Sequence, residues 1–245
     1  MQQLPMRQWW GYFAEKYGLS RLRPWGSSGR LEFEPRKLRG RKIIIRRGRH
    51  DIHVLADLLA SEFYMPEKPI DPMLTIVDLG ANIGCTSVHF AACFPRARII
   101  GVELEKENFL LAQENTLKDR ARIELLHGAI WGSEGLVSVH EGRSDAFRVA
   151  CDTSVPGGVR AITMAALFEK YGLDRVDYLK MDIEGAEEQV LLEDPLPHWL
   201  EKIRHMQIEV HREELMAAIQ AKLQAYRFHT AVSEKHWSAV VAWRG

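Results

Sequence analysis

The stretch that most constrains this chain is Thr75-Ile76-Val77-Asp78-Leu79-Gly80-Ala81-Asn82-Ile83-Gly84. Its first half is a short apolar run with β-branched residues, the pattern of a buried central strand. Gly80 and Gly84 punctuate the second half, and an amphipathic stretch then runs from Ile83 to Phe94 and stops at Pro95. A strand, a tight glycine turn and a helix in that order open a nucleotide-binding α/β unit.

Two details of the turn narrow the ligand. The spacing is Gly-x-x-x-Gly, whereas dinucleotide sites use Gly-x-Gly-x-x-Gly. Asp78 also puts a carboxylate at the strand's end, where it would repel a pyrophosphate and attract an ammonium group. S-adenosylmethionine has an amino-acid head, an adenosine and a sulfonium, but no phosphate, and so meets both conditions. An NAD-linked dehydrogenase fits neither. The plainer alternative is a structural turn in which Asp78 caps the helix.

With 245 residues, 46% of them apolar, the chain has room for one α/β domain and a modest extension. The extension is expected at 1–45 and the cofactor-binding domain at 46–245. The 33 basic and 33 acidic residues cancel, so bulk charge points to neither nucleic acid nor a membrane. Cys85, Cys93 and Cys151 are too few and scattered for a disulfide framework or a zinc site. No apolar run reaches membrane-spanning length, and residues 1–30 lack a signal-like core, so the expected location is cytoplasmic.

Residues 5–18, with Trp9, Trp10, Phe13 and Tyr17 on one face, read as an amphipathic helix that docks on the domain or on a second copy, giving a homodimer. Residues 20–30 are rich in Gly, Ser and Pro and read as a loop. Across 21–49, eleven arginines and lysines face only Glu32 and Glu34, a net charge of +9. A solvated face explains this most simply; an anionic substrate or RNA are the sharper options, and the lack of interleaved aromatics weakens RNA. Ile43-Ile44-Ile45 suits a strand, and Asp51 suits the cap of a helix over 52–64.

Beyond the glycine turn, 98–103 reads as a second strand ending in Glu103, placed to hydrogen-bond two ribose hydroxyls. A helix over 105–118, carrying Phe109, Leu110, Ala112 and Leu117, leads to a third strand over 122–130. That strand ends in Ala129 and Ile130, small and apolar enough to flank an adenine. Residues 131–162 look like an inserted β-ribbon with turns at 132–135 and 156–158, and Thr163 suits the cap of a helix over 164–171. The strand 176–182 ends in Asp182, followed by Ile183-Glu184-Gly185-Ala186-Glu187. A helix over 186–193, a strand over 205–211, a helix over 212–225 and a hairpin from 227–232 and 237–243 complete the sheet. In a parallel sheet these acidic turns share the carboxyl edge, where ligands bind.

Three stretches together resemble the FkbM family of S-adenosylmethionine-dependent methyltransferases: DLGANIGCTSVHFA at 78–91 with VELEKENFLLAQEN at 102–115, LKMDIEGAE at 179–187, and IEVH at 208–211. RRGRHDIHVLADLLASEFY at 46–64 is similar to the segment preceding the glycine loop in that family. The resemblance implies an α/β class I methyltransferase fold, a mostly parallel seven-stranded sheet with helices on both faces. It implies O-methylation of a small-molecule hydroxyl on a sugar, glycoside or polyketide-type natural product. It also implies a cofactor loop of Asp78, Gly80, Ala81, Asn82 and Gly84, a ribose ligand in Glu103, and a KxDxEG signature at Asp182 to Gly185. Leu104 and Cys85 depart from a common proline and aromatic at the pocket mouth.

Methyl transfer from a sulfonium to an alcohol needs alignment and removal of a proton. The expected base is Asp182 or His211, with Glu184 positioning the substrate. A divalent ion such as Mg²⁺ held by Asp182 and Glu209 is a less favoured option. An RNA methyltransferase and a binding module without chemistry are the competing readings.

Overall fold

The computed structural model describes residues 23–25, 29–138, 148–150, 158–194 and 197–244. Strands β1 (Arg23–Trp25), β2 (Arg30–Phe33) and β3 (Ile43–Arg46) form a small antiparallel sheet in that order. The loop expected over 20–30 is therefore partly strand, because pairing with β2 overrides the Gly, Ser and Pro composition. Leu31, Phe33, Ile43 and Ile45 are buried with Leu55, Leu58 and Leu59 of α1 (Asp51–Ser61). Asp51 does not cap that helix by hydrogen bonding; it receives the backbone N–H and guanidinium of Arg46 instead.

The basic stretch is largely answered by carboxylates. Arg30, Lys37, Arg41, Lys42, Arg46 and Arg49 pair with Glu114, Glu62, Asp119, Glu32, Asp51 and Glu107, at 2.6–3.2 Å. Six of the eleven positive charges thus meet carboxylates within the fold.

The central sheet has seven strands: β4 (Thr75–Leu79), β5 (Arg98–Glu103), β6 (Ile123–His127), β11 (Val176–Met181), β12 (Ile203–Glu209), β13 (His229–Val232) and β14 (Ala239–Trp243). Their order is β13-β14-β12-β11-β4-β5-β6, with β14 antiparallel to both its neighbours and the rest parallel. Alternation along each strand divides the core. Val77, Leu79, Ile100, Val102, Leu179 and Met181 face α4 (Met164–Tyr171), α5 (Glu187–Leu191) and α6 (Met216–Ala225). Ile76, Ile99 and Tyr178 face the other side with Phe90 and Ala91 of α2 (Cys85–Cys93). Helices therefore cover both faces, as expected.

Helix α2 corrects one expectation. It is buried from Cys85 through Ala92 rather than amphipathic, because the β1–β3 sheet and α1 cover the side that would otherwise meet solvent. Within α3 (Lys106–Asn115) and the turn after it, Leu110 and Leu117 stand 48% and 59% exposed and are not core. The expected third strand breaks at Gly128 into β6 and β7 (Ala129–Ile130). Strand β7 joins a second sheet with β8 (Gly135–Ser138), β9 (Arg148–Ala150) and β10 (Val159–Ile162), in the order β7-β10-β8-β9. The side chain of Thr163 accepts from the Ala166 N–H and caps α4. The helix expected at 5–18, Cys151 and the turn residues Pro156 and Gly157 lie outside the described residues. Among the described residues no helix is long and apolar enough to cross a membrane.

Candidate active site

The turn after β4 curls over the end of β5. The backbone N–H groups of Gly80 and Ala81 both donate to the Val102 carbonyl, at 3.0 and 2.9 Å. Asn82, at φ +50°, then aims its N–H at Oε2 of Glu103, 2.7 Å away. Oε1 of Glu103 accepts from the Glu105 N–H at 2.8 Å. The Asn108 side chain also hydrogen-bonds this carboxylate, whose two oxygens together retain acceptor capacity for a ribose hydroxyl. Burial pushes the Glu103 pKa up against the pull of these hydrogen bonds.

Asp78 does not take the place expected of it. It is fully buried under the turn, with Oδ2 accepting from Ser87 Oγ at 2.6 Å and Oδ1 3.4 Å from Nζ of Lys180. Burial raises its pKa against the pull of Lys180 and Ser87. A carboxylate so enclosed holds the turn together, and it neither caps α2 nor lines the cavity.

Lys180 is the organising cation that sequence reasoning missed. Only 1% exposed, it donates to the carbonyls of Leu79 and Gly80 at 3.1 and 2.6 Å and lies 3.4 Å from Asp182 Oδ2. The Tyr64 ring lies 4.6 Å from its ammonium, within cation–π range. Burial opposes the charge, but Asp182 and Asp78 outweigh it and raise the pKa, so the ammonium persists. The signal lay in the KxD spacing, which puts Lys180 and Asp182 on one side of the chain.

Asp182 stands at the end of β11. The Tyr64 hydroxyl bridges it to Glu209, 2.8 Å from Asp182 Oδ2 and 2.7 Å from Glu209 Oε2. Burial and the two carboxylates push the Tyr64 pKa far upward, so it remains a donor. Glu209, the expected second metal ligand, shares the Tyr64 hydroxyl with Asp182. On the other side of Asp182 stand Glu184 and His211.

His211 is fixed through Nδ1, 2.9 Å from Oε1 of the buried Glu187. Burial works against its positive charge, but Glu187, Glu184 and Asp182 prevail and raise the pKa to about 9. The raised pKa favours the charged imidazole, which weakens the case for His211 as the expected base.

A cavity of about 220 Å³ opens between these turns. Of the expected residues, Gly80, Asn82, Glu103, Leu104, Ala129, Ile130, Asp182 and Glu184 line it. Asn108, Trp131 and Ile183 line it too and were not foreseen. Ala81, Gly84 and Cys85 lie behind the wall: Gly84 packs on Ala112, and Cys85 belongs to the apolar cluster under the β1–β3 sheet, where burial pushes its thiol well up. The wall's negative charge thus comes from Glu103, Asp182 and Glu184 rather than Asp78.

The family model described as the methyltransferase FkbM domain matches residues 78–230. Among solved structures, Aeropyrum pernix fibrillarin with natively bound S-adenosyl-L-methionine is 16% identical, with 88% of this chain and 93% of that one covered at a TM-score of 0.44. The precorrin-6y C5,15-methyltransferase of Geobacter metallireducens is 12% identical over 79% of this chain and 87% of its own, at a TM-score of 0.43. The N-terminal domain of EvdMO1 with bound SAH is 14% identical over 72% and 76%, at 0.39. No curated protein matches the chain.

Proposed function

The chain belongs to the methyltransferase FkbM domain family and is an S-adenosylmethionine-dependent methyltransferase, and from that premise we propose that its acceptor is a hydroxyl of a small molecule, a sugar, glycoside or polyketide-type natural product. When bound, the cofactor supplies an electrophilic methyl group on a sulfonium for in-line displacement. The negative cavity wall of Glu103, Asp182 and Glu184 suits a ligand with sulfonium and ammonium charges and no phosphate. Glu103 would hold the ribose, the turn at Gly80 and Asn82 the amino-acid end, and Leu104, Ala129 and Ile130 the adenine.

The observation that carries the O-methylation reading is the setting of Asp182. It lies on the cavity wall, fixed by the Tyr64 hydroxyl and the buried Lys180 ammonium. An aliphatic alcohol needs a positioned proton acceptor, and a carboxylate so oriented provides one. In this reading Asp182 accepts the hydroxyl proton while the oxygen takes the methyl group, and Glu184 orients the acceptor at the rim. RNA is the second acceptor class, less favoured because six of the eleven basic residues of 21–49 pair with carboxylates.

The test incubates the protein with S-adenosylmethionine and separate panels of glycosides, polyketides and RNA, reading S-adenosylhomocysteine release and methyl gain by mass. A methylated hydroxyl in the small-molecule panel, lost in Asp182→Asn with S-adenosylhomocysteine binding retained, supports the proposal. Methylation of RNA alone refutes the acceptor class, and full turnover by Asp182→Asn removes Asp182 as the base.

A further inference from the structure

Asp182 and Glu184 of the cavity wall and the neighbouring His211 bring three donor atoms within 4.8 Å of one another. Their spacing does not suit hydrogen bonds. Nε2 of His211 lies 3.6 Å from Asp182 Oδ1 and 3.5 Å from Glu184 Oε2, beyond the roughly 3.2 Å reach of N–H···O. The same spacing is compatible with ligands of one ion, since donors about 2.1 Å from a metal stand about 3.0 Å apart at right angles and up to about 4.2 Å apart across it.

A second observation comes from behind the imidazole. Glu187 is 1% exposed, with Oε1 on Nδ1 of His211 and Oε2 buried without a hydrogen-bond partner. A carboxylate on the far nitrogen fixes the ring and turns Nε2 to the other side, the arrangement behind metal-bound histidines. Half-paired and buried, that carboxylate favours positive charge on the imidazole or on an ion held at its far nitrogen. Lys180 already answers Asp78 and Asp182.

We propose that Asp182, Glu184 and His211 form a divalent-cation site, with Glu187 as the positioning residue for His211. The imidazole makes the donor set mixed, which favours a first-row ion such as Mn²⁺ over Mg²⁺, whose ligands are oxygens. Binding takes the Nε2 lone pair and displaces any proton there. Three protein donors leave positions open toward the cavity, and an alcohol bound at one of them becomes more acidic. The existence of the site is independent of the proposed function; its use in activating an acceptor hydroxyl rests on that reading.

The experiment titrates the full-length chain with Mn²⁺ by electron paramagnetic resonance, alongside calorimetry with S-adenosylhomocysteine. One saturable Mn²⁺ per chain is expected, weakened roughly tenfold or more in Asp182→Asn, His211→Gln and Glu187→Gln. The surface variant Glu169→Gln should bind as the wild type does. Thermal unfolding of each variant checks that it is folded, and Mn²⁺ should raise the wild-type melting temperature, a readout needing no variant. Binding that all the variants share marks an adventitious surface ion and overturns the site. Wild-type protein that binds S-adenosylhomocysteine but no Mn²⁺ overturns the site and leaves the methyltransferase reading standing; Mn²⁺ binding without the nucleoside does the reverse.

Discussion

A Cβ at Gly80 would stand 1.8 Å from the carbonyl oxygen of Asp182, so the turns after β4 and β11 meet backbone to backbone. Gly80 also holds φ +75°, which a side chain disfavours by about 1 kcal/mol on its own. The contact ties the loop that faces the cofactor to the loop that carries the proposed base. Gly80→Ala should therefore cost roughly 2–3 kcal/mol in urea unfolding and weaken S-adenosylhomocysteine binding about tenfold or more by calorimetry. Unchanged affinity would mean that the two turns are not coupled.

Tyr64 offers one hydroxyl to two carboxylates, Asp182 and Glu209. Removing it leaves both acids facing each other without a donor between them. Tyr64→Phe should lose about 1–3 kcal/mol of stability. It should also lower kcat while leaving the KM for S-adenosylmethionine near its original value. A change confined to that KM would show that Tyr64 serves the cofactor rather than Asp182.

Asn115 is a buried clasp between three segments. Its Oδ1 accepts from the Ile44 N–H at 2.7 Å, and its Nδ2 donates to the carbonyls of Ile44 and Ile83 at 3.1 and 2.8 Å. Ile83 belongs to the glycine turn, so the β1–β3 sheet is latched to the cofactor loop through one side chain. Asn115→Leu strands three backbone groups and should cost about 3–5 kcal/mol, measured by urea unfolding. A loss below about 1 kcal/mol would mean that water replaces the amide.

Much of this arrangement was legible from local pattern. The order of strands and helices follows from apolar periodicity, and Glu103 follows from its distance to the glycine turn. What stayed hidden depends on partners far along the chain. Lys180 sits directly across from Asp78 in the β4–β11 register, and nothing in the glycine turn announces that its acid is already paired. Tyr64 reaches Glu209 across 145 residues. The charge of 21–49 read as a free surface because most of its acidic partners lie beyond the segment, scattered between Asp51 and Asp119. Helix α2 looked two-faced because its outer cover, the β1–β3 sheet, is not visible in its own sequence.

His89, on α2, gives the fold a pH dependence of known sign. It is 2% exposed, its Nδ1 has no hydrogen-bond partner, and burial lowers its pKa to about 4 despite the attraction of Glu62. The unfolded chain takes up this proton near the ordinary histidine value of about 6.5. Below that pH the unfolded state therefore binds more protons than the folded one, and stability falls as pH drops toward 4. The full effect is about 3 kcal/mol, reached once the pH is below both values. Urea midpoints at a series of pH values from neutral down to the folded pKa should show this loss in the wild type and a shallower one in His89→Leu, whose side chain does not titrate. Parallel curves for the two proteins would mean that His89 takes up its proton in the folded state as readily as in the unfolded one.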